Sequence, residues 1–477
     1  MDLLEQARRL NPRDPAPHEL DLEHPRRYRI TLGALVLSVI SFAFLETSVV
    51  PAFPSIEATL HAPARWTVWL LSAYLIVAAS AAPLFGKLGD RHGKRKLLLI
   101  LLGVYLAGSI GAALAPNIWI LIFFRAPQGV GGGIFPLAVA IVRDELPAEK
   151  LPYGVGAMTG AFGGGMLVGF GTSGIIVEQL SWRFIFVCGA TLIVGAIALI
   201  ALLVPPSPQT TERKLDLPGL GLLGGGLACL LVAITEAPVW TWSGRPTLSF
   251  FAGFALLIGA WVVWELRVDE PLLDLAVLAD RPVLFANVAS MLAGYALFSV
   301  FVLVPHLVEL PAPEGFGVGA AGAGLFLLPA AGGLALAGPL SGIYAPRVGA
   351  KWPYSAGMAS LTAGAALLAG FHGTHAVAAL GIFLMGLGFG GAVGSAATLV
   401  ASTVSEDETG VATSLNSDLR LMGGGVGAQL ATVIVGTFAL ANGTPRELGF
   451  TVAFLAAMGV AALGTVAALL VPGGRDQ

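Results

Sequence analysis

A short charged stretch between two long apolar runs decides the fold. It extends from Gly86 to Lys96 and reads GKLGDRHGKRK. The runs on either side approach the length of about 20 apolar residues that crosses a bilayer as a helix. Glycines frame a tight turn, and Asp90 and Arg91 can lie at the membrane–water boundary without the full cost of burying charge. On charge alone, the stretch is a loop that anchors two spanning helices on one side of a membrane.

The rest of the chain has the composition of a membrane protein. Of its 477 residues, 56% are hydrophobic and only 12% are charged, whereas a soluble domain carries about 25% charged residues. So few charges cannot cover a water-facing surface of this size, and most of the surroundings must be lipid. The 63 glycines are consistent with this, because small residues let spanning helices pack closely.

Several classes of function are disfavoured by what the sequence lacks. Cys188 and Cys229 lie in apolar runs without metal-ligand spacing, so we interpret them as packing residues. No basic block suggests nucleic acid, and no P-loop suggests nucleotide hydrolysis. We therefore expect no cofactor, no metal and no enzymatic activity. The first apolar run is too long for a signal peptide and is interpreted as an uncleaved span.

Fourteen stretches are apolar enough to cross a bilayer, and helices satisfy their backbone polar groups in lipid at this length. They lie near 31–56, 67–86, 96–115, 117–142, 153–178, 184–204, 217–236, 247–266, 283–308, 318–342, 353–371, 375–401, 409–440 and 448–471. The predicted fold class is an all-α polytopic membrane protein.

Lysine and arginine are distributed unevenly between these spans. With the N-terminus in the cytoplasm, 20 of the 26 basic residues lie on the inner side and four lie in outer loops. The remaining two, Arg125 and Arg420, lie inside spans. The positive-inside rule therefore predicts that both termini are cytoplasmic, in the plasma or inner membrane of a cell.

The spans divide into two bundles and a spacer. We expect a cytoplasmic tail over 1–29, a six-span bundle over 30–204, a linker with two further spans over 205–281, a second six-span bundle over 282–471 and a cytoplasmic tail over 472–477. Repeated bundles of this kind are common in transporters.

The spacing G-x-L-x-D-R-x-G-x-R/K in 86–96 resembles the signature loop of the major facilitator superfamily. A weaker copy, Gly342–Lys351, lies between the tenth and eleventh spans and carries Pro346 at the acidic position. The resemblance implies two six-helix bundles around a central cavity. It also implies a cytoplasmic gate, in which Arg143 is the partner of Asp90. The gate residues are Gly86, Asp90, Arg91, Gly93 and Arg143.

The fourth span contains an arginine in the sequence RAPQGVG, Arg125–Gly131. An arginine in mid-span costs at least ~2.5 kcal/mol and is a functional hypothesis by default. The motif resembles one of the proton-coupled members of the superfamily, which implies that Arg125 takes part in proton handling. The alternative is a structural arginine held by backbone carbonyls.

The first span contains an acid in the sequence LETSVVPAFP, Leu45–Pro54. It resembles the first-span motif of the fourteen-span drug:proton antiporters. Burial in an apolar helix disfavours the charged form of Glu46, which suits a proton carrier. The alternative is a neutral acid hydrogen-bonded to a neighbouring helix.

The thirteenth span has the frame N-x-x-x-R-x-x-G-G-x-x-G from Asn416 to Gly427, which resembles the corresponding span of the fourteen-span family. Asp418 stands where the family usually has a small polar residue, and we expect it to assist Glu46 and Arg125 in proton coupling and to attract cationic substrates. The predicted cavity residues are Gln128, Asn416, Asp418 and Arg420.

The fifth span only partly matches the glycine-rich motif of proton antiporters. Its glycines are spaced as in the motif, but Phe170 replaces the proline and Ser173 replaces a glycine. The chain therefore lacks the kink site that proline supplies.

The acids and histidine near other span ends are expected at the membrane interface. They are Glu236, Glu265, His306 and Glu309.

The resemblance implies a monomeric secondary transporter that works by alternating access, exporting amphipathic or cationic drugs in exchange for protons. One alternative is an exporter or facilitator of a specific lipid or metabolite without proton antiport. Another is a membrane sensor that transports nothing.

Overall fold

The computed structural model describes residues 25–146, 151–206, 216–268, 271, 275, 281–312, 315–371, 373–401, 409–439 and 445–471. Within helices, some side chains also lie outside the described part, including those of Asp90 and Asp418. The described residues are almost all helical and contain no strand. The predicted all-α class is confirmed.

The α-helices of the described part follow the predicted spans closely. In chain order they are α1 (Pro25–Ser48), α2 (Phe53–Leu60), α3 (Ala64–Thr67), α4 (Trp69–His92), α5 (Lys94–Ala113), α6 (Ile118–Arg125), α7 (Ile134–Glu145), α8 (Leu151–Gln179), α9 (Arg183–Leu203), α10 (Leu217–Trp240), α11 (Arg245–Glu265), α12 (Arg281–Glu309), α13 (Ala320–Val348), α14 (Lys351–Phe371), α15 (His375–Ala401), α16 (Thr409–Thr437) and α17 (Glu447–Leu470).

Thirteen helical segments of the described part are long and apolar enough to cross a membrane, and the chain is a multi-pass membrane protein. The remaining predicted span, 67–86, coincides with the 24-residue α4. The apolar helical stretch described there, Ala64–Ala78, begins in α3 and is shorter than a span. The number fourteen therefore stays a prediction.

Two of the predicted spans are not continuous α-helices. The first stops at Ser48, passes through a 3₁₀ turn at Val50–Ala52 and resumes as α2. The fourth has a 3₁₀ helix, Ala126–Gly133, between α6 and α7. Prolines stand at both breaks, Pro51 and Pro127. Each removes a backbone donor and so favours a change of helix type.

The helices pack in two groups. In the first, α1 packs on α8 and α9, α5 packs on α9, and α4 packs on the 3₁₀ helix. In the second, α12 packs on α16 and α17, α14 packs on α15 and α17, and α13 packs on α15. The two groups meet along a seam where α8 contacts α13 and α4 contacts α16. Helix α10 packs on α11 and also on α4 and α16, beside the seam.

The two ends of the molecule are distinguished by their turns. The turns at Gly93 and Gly349, which connect α4 to α5 and α13 to α14, define the Gly93 end. Helix α2 and the last turn of α12 define the His306 end. Because α4 has 24 residues and an α-helix rises about 1.5 Å per residue, the two ends are about 36 Å apart.

Candidate functional site

The turn between α4 and α5, at the Gly93 end, consists of Gly93 alone. Helix α4 continues to His92 and α5 begins at Lys94, so most of the predicted 86–96 loop is helical. This corrects the expected boundaries. Hydropathy ends a span where charges begin, but the backbone of a charged segment can continue its helix into water. Gly93 has φ 88° and ψ 127°, a backbone conformation that residues with a Cβ rarely adopt.

The weaker copy of this loop also turns at a glycine with positive φ. Gly349 has φ 83° and precedes α14, which begins at Lys351. Both turns therefore place a glycine of positive φ just before a helix that begins with a lysine. The likeness inferred from the motif is reproduced in backbone geometry, even though Pro346 has replaced the acid.

Two basic residues of the motif bind neighbouring helices. Lys94 Nζ lies 2.8 Å from both carboxylate oxygens of Asp144 at the end of α7. Arg95 Nη2 donates to the carbonyl of Ala201 at 2.5 Å, and its Nε donates to the carbonyl of Ile200 at 3.4 Å. Both carbonyls lie in the last turn of α9, where a basic side chain that bonds to backbone oxygens is favourable, and the Ile200 carbonyl also accepts from the backbone N–H of Val204.

The predicted gate partners are only partly described. Arg91 and Arg143 are exposed, while the side-chain surroundings of Gly86 and Asp90 lie outside the described residues. The Asp90–Arg143 pair therefore stays a prediction. The pair Lys94–Asp144 was not predicted from the sequence, although Asp144 stands next to Arg143, the residue that was predicted.

Arg125 is buried at the point where α6 gives way to the 3₁₀ helix. Its side chain is 1% exposed. Its Nε donates to the carbonyl of Leu70 on α4 at 3.2 Å, and Nη1 donates to Gln128 Oε1. The guanidinium lies over the ring of Tyr74, 4.7 Å from its centroid. These bonds use two of its five N–H donors.

Gln128 holds this arginine from the next helical turn. Its Oε1 accepts from Arg125, and its Nε2 donates to Ser109 Oγ on α5 at 3.0 Å. The Ser109 hydroxyl in turn donates to the carbonyl of Tyr105 at 2.8 Å. Gln128 is buried, and this geometry favours a role in positioning Arg125. Its contact with a substrate stays a prediction.

Glu46 lies near charges from both helix groups. Arg125 of the first group and Arg420 of the second are close enough to interact electrostatically with its carboxylate. The carboxylate oxygen Oε2 is buried and has no hydrogen-bond partner among the described residues. The described residues therefore give no support to the alternative in which Glu46 is hydrogen-bonded to a neighbouring helix through Oε2. Residues chosen from three separate spans are thus brought together.

Asn416 belongs to a different polar cluster, inside the second group. Its Oδ1 accepts from Ser290 Oγ at 3.0 Å, and its Nδ2 donates to Asn287 Oδ1 at 2.9 Å and to the carbonyl of Ala286 at 3.3 Å. Tyr354 donates to the same carbonyl at 2.6 Å. The cluster ties α16 to α12 and α14. A role for Asn416 in substrate binding stays a prediction.

The other two candidates on α16 are placed less completely. Arg420 is half-buried, with its guanidinium 5.8 Å from the ring centroid of Phe389 on α15. The side chain of Asp418 lies outside the described residues, so its proposed contacts are untested.

Phe170 fills the position of the missing antiporter-motif proline. Its side chain is buried and packs against Phe301 of α12, with ring centroids 5.4 Å apart and an edge-to-face geometry. Helix α8 runs unbroken for 29 residues through this position. The replacement therefore substitutes an aromatic contact across the seam for a kink.

The described residues contain no group of three or more histidine, cysteine or acidic side chains arranged to hold a metal. What the described part of the site offers is a carboxylate that interacts electrostatically with two guanidinium groups, on helices from both sides of a seam. Charged side chains inside spanning helices commonly mark ion, proton or substrate pathways, which are the defining feature of membrane transporters.

The chain belongs to the Major Facilitator Superfamily, whose sequence profile matches residues 35–428. It is therefore a transporter and not an enzyme. It is 29% identical over 414 residues to the tetracenomycin C resistance and export protein of Streptomyces glaucescens, covering 85% of this chain and 75% of that one. It is 25% identical over 410 residues to the multidrug transporter protein MdtP of Bacillus subtilis, with the same shares covered.

Solved structures agree on the fold. An auto-inhibited POT family peptide transporter superposes with a TM-score of 0.66 at 18% identity, covering 94% of this chain and 96% of its own. The nucleoside transporter NupG, as a D323A mutant, superposes with a TM-score of 0.65 at 15% identity, covering 93% and 99%. At such identities the likeness concerns the fold alone.

Proposed function

We propose that this protein exports amphipathic or cationic drugs in exchange for protons. The observation that carries the proposal is the position of Glu46, whose carboxylate interacts with Arg125 of the first group and Arg420 of the second. Relatives named for antibiotic and multidrug resistance or export support the substrate class.

Glu46 is suited to carry the proton. Its Oε2 has no hydrogen-bond partner among the described residues. A proton can therefore bind to this oxygen without breaking a hydrogen bond that the structure shows. Nearby positive charges favour the ionised carboxylate, so its proton affinity changes when either arginine moves. Rocking of the two groups along the seam would change the distance to Arg420 and so link proton binding to conformation.

Arg125 would act as the fixed member of this set. Leu70, Gln128 and Ser109 tie it to α4 and α5 of its own group. Arg420 would be the moving member, and Asp418 would add a negative charge for cationic substrates.

The rest of the mechanism follows from two groups that meet along a seam. The proposed division places a six-span bundle at 30–204, two extra spans within 205–281 and a second bundle at 282–471, acting as a monomer. Alternating access would open first one end and then the other. The Gly93 end faces the cytoplasm in this proposal, together with both termini, in the cell membrane.

A second candidate function is export or facilitation of a specific lipid or metabolite without proton antiport. Phe170 favours it, because this residue replaces the antiporter-motif proline and α8 is unbroken there.

The test is a flux measurement in vesicles containing the purified protein and a lipophilic cationic dye. An imposed pH gradient should drive dye movement, and Glu46→Gln should reduce this movement to the level of protein-free vesicles, because the amide cannot exchange a proton. The matched control is Glu447→Gln, the same chemical change at an exposed position on α17, which should transport normally.

Two outcomes would reject parts of this scheme. Full proton-driven movement in Glu46→Gln would remove Glu46 from proton coupling. Dye movement by the unaltered protein that ignores the pH gradient would reject antiport and favour the second candidate.

A further inference from the structure

A second group of ionisable residues crosses the seam at the His306 end, away from Glu46. His306, in the last turn of α12, directs its Nε2 at Glu57 Oε1 on α2, 3.0 Å away. Its Nδ1 lies 2.8 Å from the carbonyl oxygen of Val302. Since α2 continues from α1, this contact joins the two helix groups across 249 positions of sequence.

The number of protons in this contact follows from its chemistry. A backbone carbonyl only accepts hydrogen bonds, so Nδ1 must carry a proton to bond with Val302. A neutral imidazole has a single N–H and cannot also donate from Nε2 to Glu57. Both bonds together require one further proton, either on Nε2 or on the Glu57 carboxyl group. Without it, two acceptor atoms face each other in one of the two contacts.

The surroundings of the pair are acidic. Among the described residues, Glu57 and Glu309 are the charged groups that act on His306, and Glu178 acts in turn on Glu309. Glu309 Oε1 is buried without a hydrogen-bond partner in the described part of the chain. Glu178, at the end of α8, accepts from the backbone N–H of Ala321 at 2.9 Å, in the first turn of α13. Two carboxyl groups act on the imidazole and a third acts on one of them, a cluster of negative charge that favours holding an additional proton.

We propose that Glu57 and His306 form a proton-binding site that closes the His306 end of the seam. The bound proton forms a bond to His306 Nε2 or to a Glu57 oxygen and holds α2 against α12. Its release to water leaves one of the two contacts repulsive, and the helices part.

This inference deepens the proposed function and rests on it, because it adds a second proton site to an exchange of drug for protons. With the His306 end facing outward, a proton arriving from outside would close the end through which it came. The protein would then be free to open toward the cytoplasm and release the Glu46 proton there, while the Glu57–His306 proton keeps the outer end closed until it returns to the water outside.

The test measures the width of this end by the distance between two spin labels, without substrate or transport. Leu114 at the end of α5 and Thr374 between α14 and α15 are exposed and belong to opposite groups. Leu114→Cys and Thr374→Cys would be combined with Cys188→Ala and Cys229→Ala, which remove the native thiols. We expect short distances at about pH 5 and a shift to longer distances at about pH 10.5, because neighbouring carboxylates make an imidazole hold its proton above the usual histidine range.

Two substitutions of Glu57 should then have opposite effects on the distance between the labels. In Glu57→Gln, the amide can donate to Nε2 of a neutral His306 that still donates from Nδ1 to Val302. This variant should keep the short distance at both pH values. Glu57→Ala removes the partner and should give the long distance at both. Glu447→Gln is the control and should behave like the parent.

The outcomes separate the two proposals. The proton site would be overturned if the distances in the unaltered protein did not change with pH. It would also be overturned if Glu57→Gln and Glu57→Ala gave the same distances as each other. If the distances respond as expected while dye flux ignores a pH gradient, the proton site stands and antiport fails. Near-isosteric Glu57→Gln also guards against loss of folding as the explanation.

Discussion

Single residues of this protein matter most where one atom decides a geometry. Gly93 makes the α4–α5 connection in one residue because it has no Cβ. Arg125 stays ordered in an apolar helix because a carbonyl, an amide and an aromatic ring surround its guanidinium. At this scale, the sequence indicated which residues were unusual, because charge in a span is costly. It could not supply partners such as Leu70, which lies 55 positions away from Arg125.

Gly93→Ala should destabilise the protein. At φ 88° and ψ 127° an added Cβ makes the backbone conformation strained, at a cost of roughly 1–3 kcal/mol. Thermal unfolding of the purified protein in detergent, followed by tryptophan fluorescence, should show a lower midpoint. Gly103→Ala is the matched control, since Gly103 lies within α5 with open space beside its Cα, and alanine favours helix there. Equal midpoints for the two variants would contradict the strain argument.

Helices are the scale at which the predictions from sequence were most accurate and also most incomplete. Apolar runs located nearly every helix, because only helices satisfy the backbone in lipid. The helix ends were displaced where charged residues continue a helix into water, as in α4. Breaks such as the 3₁₀ helix after Arg125 depend on how Gly129 and its neighbours pack on α4, and the presence of Pro127 only hinted at them.

The contact between α5 and α7 should depend on the pairing of Lys94 with Asp144. Their side chains are only 23% and 29% exposed, so reversing one charge places like charges side by side. Lys94→Asp and Asp144→Lys should each lower the unfolding midpoint, and the double swap should recover much of the loss, with a coupling of about 1 kcal/mol. Additive losses in the double variant would show that the two residues do not interact.

At the scale of the whole molecule, two helix groups share one seam, and ionisable residues cross it at two depths. Glu46 was found from sequence because it is an acid inside a span. The contact between Glu57 and His306 was not, since each residue alone resembles an ordinary side chain at a membrane interface. Only the folded chain reveals that these two are neighbours.

The number and direction of spans can be tested with single cysteines in a chain lacking Cys188 and Cys229. Exposed residues at the His306 end, Leu114 and Trp242, should react as cysteines with an impermeant maleimide on intact cells. Val348 and Leu266, exposed at the other end, should react only after permeabilisation. Trp242 and Leu266 bracket α11, so a reversed result at either would contradict fourteen spans.

Helix α10 lies beside the seam and closes one flank of it. Leu231 and Ile234 pack between Trp69 of α4 and Val433 of α16, and Thr235 donates to Gln429 of α16 at 3.0 Å. A hydrophobic solute that has partitioned into the bilayer therefore meets a wall of side chains on this flank. A path from a lipid leaflet into the seam on this flank would have to displace α10, whereas on the opposite flank it would have to separate α8 from α13. The inserted helix α10 thus makes the two lipid-facing flanks of the seam unequal.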